Sequence, residues 1–152
     1  MSLTIRMPPF DELALRWRDI EPLVRMATDR TAGCFEPVDA LQLAMSGSWR
    51  LWIVEKTDGA FWPGNEDEII AIATTEVRQF PRMRVCDIPL IAGREMAEWV
   101  EPLLEALKAH ARQFECARLT ASGRPGWLSV PMLKMQPYAA MTIDLLGDAD
   151  AQ

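Results

Sequence analysis

Between Met83 and Ala121 the chain passes from an aliphatic and β-branched run, MRVCDIPLIA, through a long helical stretch, AEWVEPLLEALKAHARQFE, into a second short strand-like run, ARLTA. A connection of that length does not close a hairpin; it joins two parallel strands of one sheet by a right-handed crossover. Residues 83–92 and 117–121 are therefore expected to lie side by side, with a helix over about 98–114 packed on the sheet. Within that helix Leu103, Leu107, Ala111 and Phe114 recur at helical spacing and form one apolar stripe.

The segments upstream add further strands and helices. SLTIR alternates as a short first strand. From Asp11 to Arg30, Leu13, Trp17, Ile20, Val24 and Ala27 trace one helical face. Pro22 interrupts it, either as a kink or within the first turn of a second helix that starts after Asp19, a good N-cap. EPVDALQLAMSGS reads as another helix ending near Gly47. RLWIVEK and EIIAIATTEVRQF read as strands, with TDGAFWPGNED as the loop between them. After ARLTA, the turn SGRPGW leads into GWLSVPMLKM, a short helix broken by Pro131, and YAAMTIDLL, a last strand. The sequence has no internal repeat, and its final residues, 147–152, read as a frayed tail. With 152 residues and no linker long enough to divide it, the chain reads as one α/β (α+β) domain.

Composition narrows the function classes. A formal charge of -6 opposes broad electrostatic attraction to nucleic acid or an anionic membrane. No apolar run approaches the ~20 residues of a membrane span. MSLTIRMPPFDEL lacks the apolar core of a secretory signal, so a cytoplasmic protein is expected. Cys34, Cys86 and Cys116 are odd in number and isolated, which fits reduced thiols and neither a disulfide framework nor a metal site.

With this order of elements the chain resembles the GNAT superfamily of N-acetyltransferases. LWIVEK, ATTEVRQFPR, the region of Cys116 and SGRPGW carry a narrower resemblance to GNAT-like proteins of tailed phages and prophages. The resemblance implies a mixed, mostly antiparallel sheet flanked by helices and splayed between its fourth and fifth strands, here near 83–92 and 117–121. It also implies acetyl-CoA or another acyl-CoA in the gap, its pantetheine amides pairing with the fourth strand and its pyrophosphate at the N-terminus of the next helix. The cofactor-binding candidates are then Ile88, Leu90, Ile91, Ala92, Gly93 and Arg94. Pro89 lacks an N–H and suits a bulge or a splayed edge in that strand; an irregular strand end is the alternative.

Several residues depart from the family pattern. GNAT enzymes usually carry Gln or Arg, two residues, Gly, one residue, then Gly or Ala at the pyrophosphate loop. This chain has Gly93 and Arg94 followed by Glu95 and Glu98, whose charges complement a helix dipole and repel a phosphate. The resemblance places a tyrosine acid in the helix after the fifth strand. The single tyrosine here, Tyr138, falls after that helix. Asp87 and Glu76 are the candidate general bases, with solvent-facing roles as the alternative. His110, mid-helix, reads as a surface or packing residue, and no serine or cysteine shows a triad. In SGRPGW, Gly123, Pro125 and Gly126 supply turn chemistry, while Arg124 and Trp127 would stand at the mouth of the cleft.

Two readings follow. One is a noncatalytic or weakly catalytic interaction module with a protein partner. The other is an acyl-CoA-dependent N-acyltransferase acting on a small-molecule amine. No metal, nucleic acid or membrane enters either reading.

Overall fold

The computed structural model describes residues 2–57 and 68–121, together with 143 and 145. The chain forms two compact units, Met1–Ser122 and Gly123–Gln152, and every element below belongs to the first. The expected loop over 58–67, the helix GWLSVPMLKM and the strand YAAMTIDLL lie outside the described residues.

Strands β1 (Ser2–Arg6), β2 (Arg50–Thr57), β3 (Glu68–Gln79), β4 (Arg84–Ile88) and β6 (Arg118–Ala121) follow one another across a sheet. A three-residue strand, β5 (Ile91–Gly93), pairs with β3 beyond the end of β4. All pairings are antiparallel except β4 with β6, where Val85, Cys86, Asp87 and Ile88 run parallel to Arg118, Leu119, Thr120 and Ala121. Helix α4 (Met96–Gln113) supplies the crossover between them. The parallel pair and its helix are thus as the spacing predicts.

The run 83–92, expected as one strand, is two. Pro89 cannot donate to the ladder, and among the described residues the pairing with β6 ends at Ile88. Pairing resumes at Ile91 against β3. Among the described strands β4 therefore has a partner on both sides and β5 on one, and the sheet opens where the chain passes Pro89.

On one face lie α1 (Phe10–Leu15), α2 (Trp17–Thr28) and α3 (Pro37–Ser46). The break between the first two falls at Arg16, three residues before the expected N-cap Asp19, and Pro22 sits inside α2. A buried charge explains the position. Glu55 of β2 is 3% exposed and accepts from Arg6 Nε and Arg16 Nη1, each at 2.7 Å. Holding Arg16 onto the sheet outweighs the local preference of Asp19 for a cap. Arg6 also donates to Glu12 at 2.9 Å; this contact holds the Glu12 carboxyl below its ordinary value and, with Glu55, raises Arg6. Helix α3 closes as expected, with Gly47 left-handed at its end, φ 82°.

The core is layered. Leu51, Ile53, Ile72, Leu90 and Ala92 of the sheet pack with Leu13, Ile20, Leu23 and Val24 of the helices. On the opposite face, α4 buries Trp99, Leu103, Leu107 and Ala111, so three members of the expected stripe are core. Phe114 is the helix cap and only partly buried. His110 is buried, its ring 5.1 Å edge-on from Trp52 and 4.8 Å from Phe114. Its role is packing.

Candidate functional site

Among the described residues, the opening at Pro89 leaves one backbone edge of β5 without a strand partner. Leu90 C=O accepts from Thr74 N–H at 2.8 Å, and Arg94 N–H donates to Ile70 C=O at 2.8 Å. Both residues therefore face β3. Alternation along an antiparallel ladder turns the N–H and C=O groups of Ile91 and Gly93 the other way, where no described strand pairs with them. An extended chain or a ligand with amide groups could pair there.

Gly93 is set by packing on the other side. A Cβ at this position would lie 2.4 Å from Ala71 Cβ and 2.7 Å from Ile70 O, so only glycine lets β5 approach β3. The glycine is explained without any ligand.

The bend itself offers few donors. Pro89 has no N–H, and Leu90 N–H donates to the buried Thr74 Oγ1 at 3.0 Å. Neither is spare to stabilise charge developing on a carbonyl oxygen. Ile88 and Leu90 are core residues at this point, and Ile91 is partly exposed.

The helix N-terminus beside the edge is acidic and tightly connected. Only Arg94 and Glu95 separate β5 from α4, and Glu95 takes the left-handed conformation, φ 58°. Lys56 Nζ of β2 donates to Glu95 and Glu98, each at 3.1 Å, and the two carboxylates raise its pKa. Trp99 Nε1 donates to Arg94 C=O at 2.6 Å, fixing the turn against the helix. The Arg94 side chain leaves this site. Its Nη2 meets Ile69 C=O at 3.3 Å and Glu68 Oε1 at 3.3 Å.

The residues therefore fit part of an acyl-CoA. The Ile91 and Gly93 edge suits amide groups. The diphosphate does not fit: Glu95 at the N-cap and Glu98 in the first turn put two carboxylates at the helix start, the connection there is only two residues, and the Arg94 side chain points elsewhere.

Glu76 and Asp87 are direct partners across β3 and β4, so their side chains share a sheet face. Thr120 Oγ1 donates to Asp87 Oδ1 at 2.7 Å from the parallel neighbour β6. The structure thus gathers both candidate bases just before the opening and adds Thr120, which sequence reasoning did not single out. Arg124 and Trp127 lie outside the described residues, as does Tyr138. Lys56 was also missed. Its meeting with Glu95 and Glu98, 39 and 42 positions away, depends on strand register and leaves no local signal.

Other chemistry is sparse. Among the described residues no group of three His, Cys, Asp or Glu could hold a metal ion, and no helix is long and apolar enough to cross a membrane. All three cysteines are free. Burial pushes the Cys86 thiol up to about 11, with smaller contributions from Cys116 and Asp87, which makes it a poor nucleophile.

No family model matches the sequence, and no curated protein does. Solved structures do resemble the fold. A GNAT family acetyltransferase from Staphylococcus aureus superposes with TM-score 0.62 at 12% identity, covering 95% of this chain and 100% of that one. Glucosamine-6-phosphate N-acetyltransferase from Arabidopsis thaliana gives TM-score 0.65 at 11% identity, covering 96% and 99%. Ribosomal-protein-alanine N-acetyltransferase from Brucella melitensis gives 0.64 at 11%, covering 95% and 99%. The fold is the acetyltransferase fold.

Proposed function

We propose that this chain uses the acetyltransferase fold as a noncatalytic interaction module, in the phage or prophage setting implied by its sequence resemblance, with a protein as partner. The observation that carries this reading is the start of α4, where Glu95 and Glu98 are bridged by Lys56 at the position a diphosphate would need. The lack of a spare N–H on Pro89 or Leu90 supports it. The open backbone of Ile91 and Gly93 is then a place for an extended segment of the partner to add as a strand.

An acyl-CoA-dependent N-acyltransferase acting on an amine is the second reading. The same edge favours it, because it can pair with amides of a pantetheine arm. Glu76 and Asp87 stand on one face next to the opening and could serve as base. The Arabidopsis and Brucella proteins of the same fold are N-acetyltransferases.

Amide hydrogen exchange separates the two. With millimolar acetyl-CoA, the proposal expects the Ile91 and Gly93 amides to exchange as they do without ligand. Protection confined to these amides, together with thiol release in the presence of an amine, would establish the second reading instead.

A further inference from the structure

One end of the sheet collects arginine. β2 begins there with Arg50, β3 carries Arg78 at its end, Arg82 stands in the turn, and β4 and β6 begin with Arg84 and Arg118. Strand register lines up part of the set. Arg78 is opposite Val85, and Val85 is opposite Arg118, so the three form one row across β3, β4 and β6 with its two arginines about 10 Å apart, two strand spacings. Among the described residues Arg50, Arg78, Arg82 and Arg118 are exposed and form no ion pair. The carboxylates near them are Glu76, Asp87 and Glu115, and Asp87 already accepts from Thr120. Cations thus outnumber anions here, on a chain whose formal charge is -6. An aromatic ring stands among them. Phe80 is 43% exposed, its N–H donates to Met83 C=O at 2.9 Å to close the turn, and the Arg78 guanidinium lies 5.5 Å from its ring centroid.

We propose that the β3–β4 hairpin and the start of β6 dock an acidic segment of a partner protein, with carboxylates on Arg78, Arg82 and Arg118 and an apolar side chain against Phe80. Charge complementarity selects the partner. These cations are all arginine, whose planar fork takes a carboxylate through two parallel hydrogen bonds, and none has to give up an ion pair to do so. The ring gives the contact an apolar anchor, since covering it removes apolar surface from water, and aromatic and arginine side chains together are what interface centres are rich in. A nucleic acid is disfavoured by the same chain. Its long run of phosphates meets the repulsion of the whole -6 molecule, whereas a short acidic segment meets only the local excess of arginine. The surface is separate from the Ile91 and Gly93 edge, which pairs with Ala71 and Ala73 farther back on β3. It holds under either reading of the α4 start and requires neither acyl-CoA nor catalysis.

Fluorescence anisotropy of the full chain tests the assignment, with a labelled peptide of alternating aspartate and glutamate around one central phenylalanine. Saturable binding is expected with Kd at or below about 100 µM in about 50 mM salt. The Arg78→Ala, Arg118→Ala double variant should weaken it at least about tenfold. Arg82→Glu should do the same, and its exposed place in the turn keeps the test open should the double variant fail to fold. Phe80→Ala, or serine in place of the peptide's phenylalanine, should each weaken binding at least about threefold, which attraction between charges alone does not produce. Arg30→Ala, an exposed arginine outside this end of the sheet, should leave the affinity unchanged. No saturable binding up to about 1 mM protein overturns the proposal, as does unchanged affinity in Arg82→Glu or an equal loss in Arg30→Ala. Single-stranded DNA of the same charge bound as tightly as the peptide also overturns it, by assigning the arginines to phosphate.

Discussion

Lys56 Nζ lies 3.1 Å from Glu95 Oε2, tying the C-terminal end of β2 to the N-cap of α4. The same ammonium is 3.1 Å from Glu98 Oε2. The positive end of a helix is an anion site by default, and here the chain supplies its own anions together with their counter-ion. If these carboxylates are what keeps a diphosphate away, removing their charges should admit one. The Glu95→Gln, Glu98→Gln double variant is expected to bind acetyl-CoA measurably, because it frees both the helix dipole and Lys56. Calorimetry on the variant checks this. Equal silence from variant and wild type would show that the short connection, and not the charge, excludes the ligand.

Leu107 is 0% exposed, at the centre of the α4 stripe. Leu107→Ala should cost about 2–5 kcal/mol, the lost transfer energy plus the cavity left behind. Urea unfolding measures it, and an unchanged midpoint would contradict the packing of α4 described above.

Gly93→Ala places a methyl 2.4 Å from Ala71 Cβ. Backbone atoms of Ile70 and Ala71 at 2.7 and 2.8 Å prevent simple side-chain adjustment. The variant should lose roughly 1–3 kcal/mol by overpacking. Adding Ala71→Gly should recover only part of that loss, because Ile70 O remains; full recovery in thermal melts would assign the whole clash to the methyl of Ala71.

His110 titrates below its ordinary value of 6.5, first because burial disfavours the imidazolium and second because Arg50 repels it. The folded state therefore takes up a proton less readily than the unfolded chain. Its contribution to stability is fully present above pH 6.5 and is lost as pH falls through 6.5 toward the lower folded value. Urea midpoints measured between pH 7.5 and 5 should fall for the wild type and fall less for His110→Phe. Parallel curves would place the titration elsewhere.

What was legible in the sequence follows from what is local. The crossover from 83–92 to 117–121 is encoded by a helix too long for a hairpin, and Leu103, Leu107 and Ala111 mark its buried face by spacing alone. Gly47 announced the end of α3 because a left-handed residue there favours glycine. The break at Arg16 was not legible, since Asp19 offers a stronger local cap and the deciding partner, Glu55, is 39 residues away. Pro89 signalled an irregular strand, but which of its neighbours would keep a free edge depended on the Leu90 and Arg94 hydrogen bonds to β3. The family resemblance made Arg94 a candidate phosphate contact and Glu95 a residue that would repel one. The side of the sheet on which Arg94 comes to rest was not.

The central claim is that the start of α4 does not hold the diphosphate of an acyl-CoA. Isothermal titration calorimetry of the wild-type chain with acetyl-CoA, taken to about 1 mM, tests it most directly. The account predicts no saturable heat. Saturable binding with Kd below about 100 µM, lost in Lys56→Ala, would contradict it by showing that Lys56 serves the ligand and not Glu95 and Glu98.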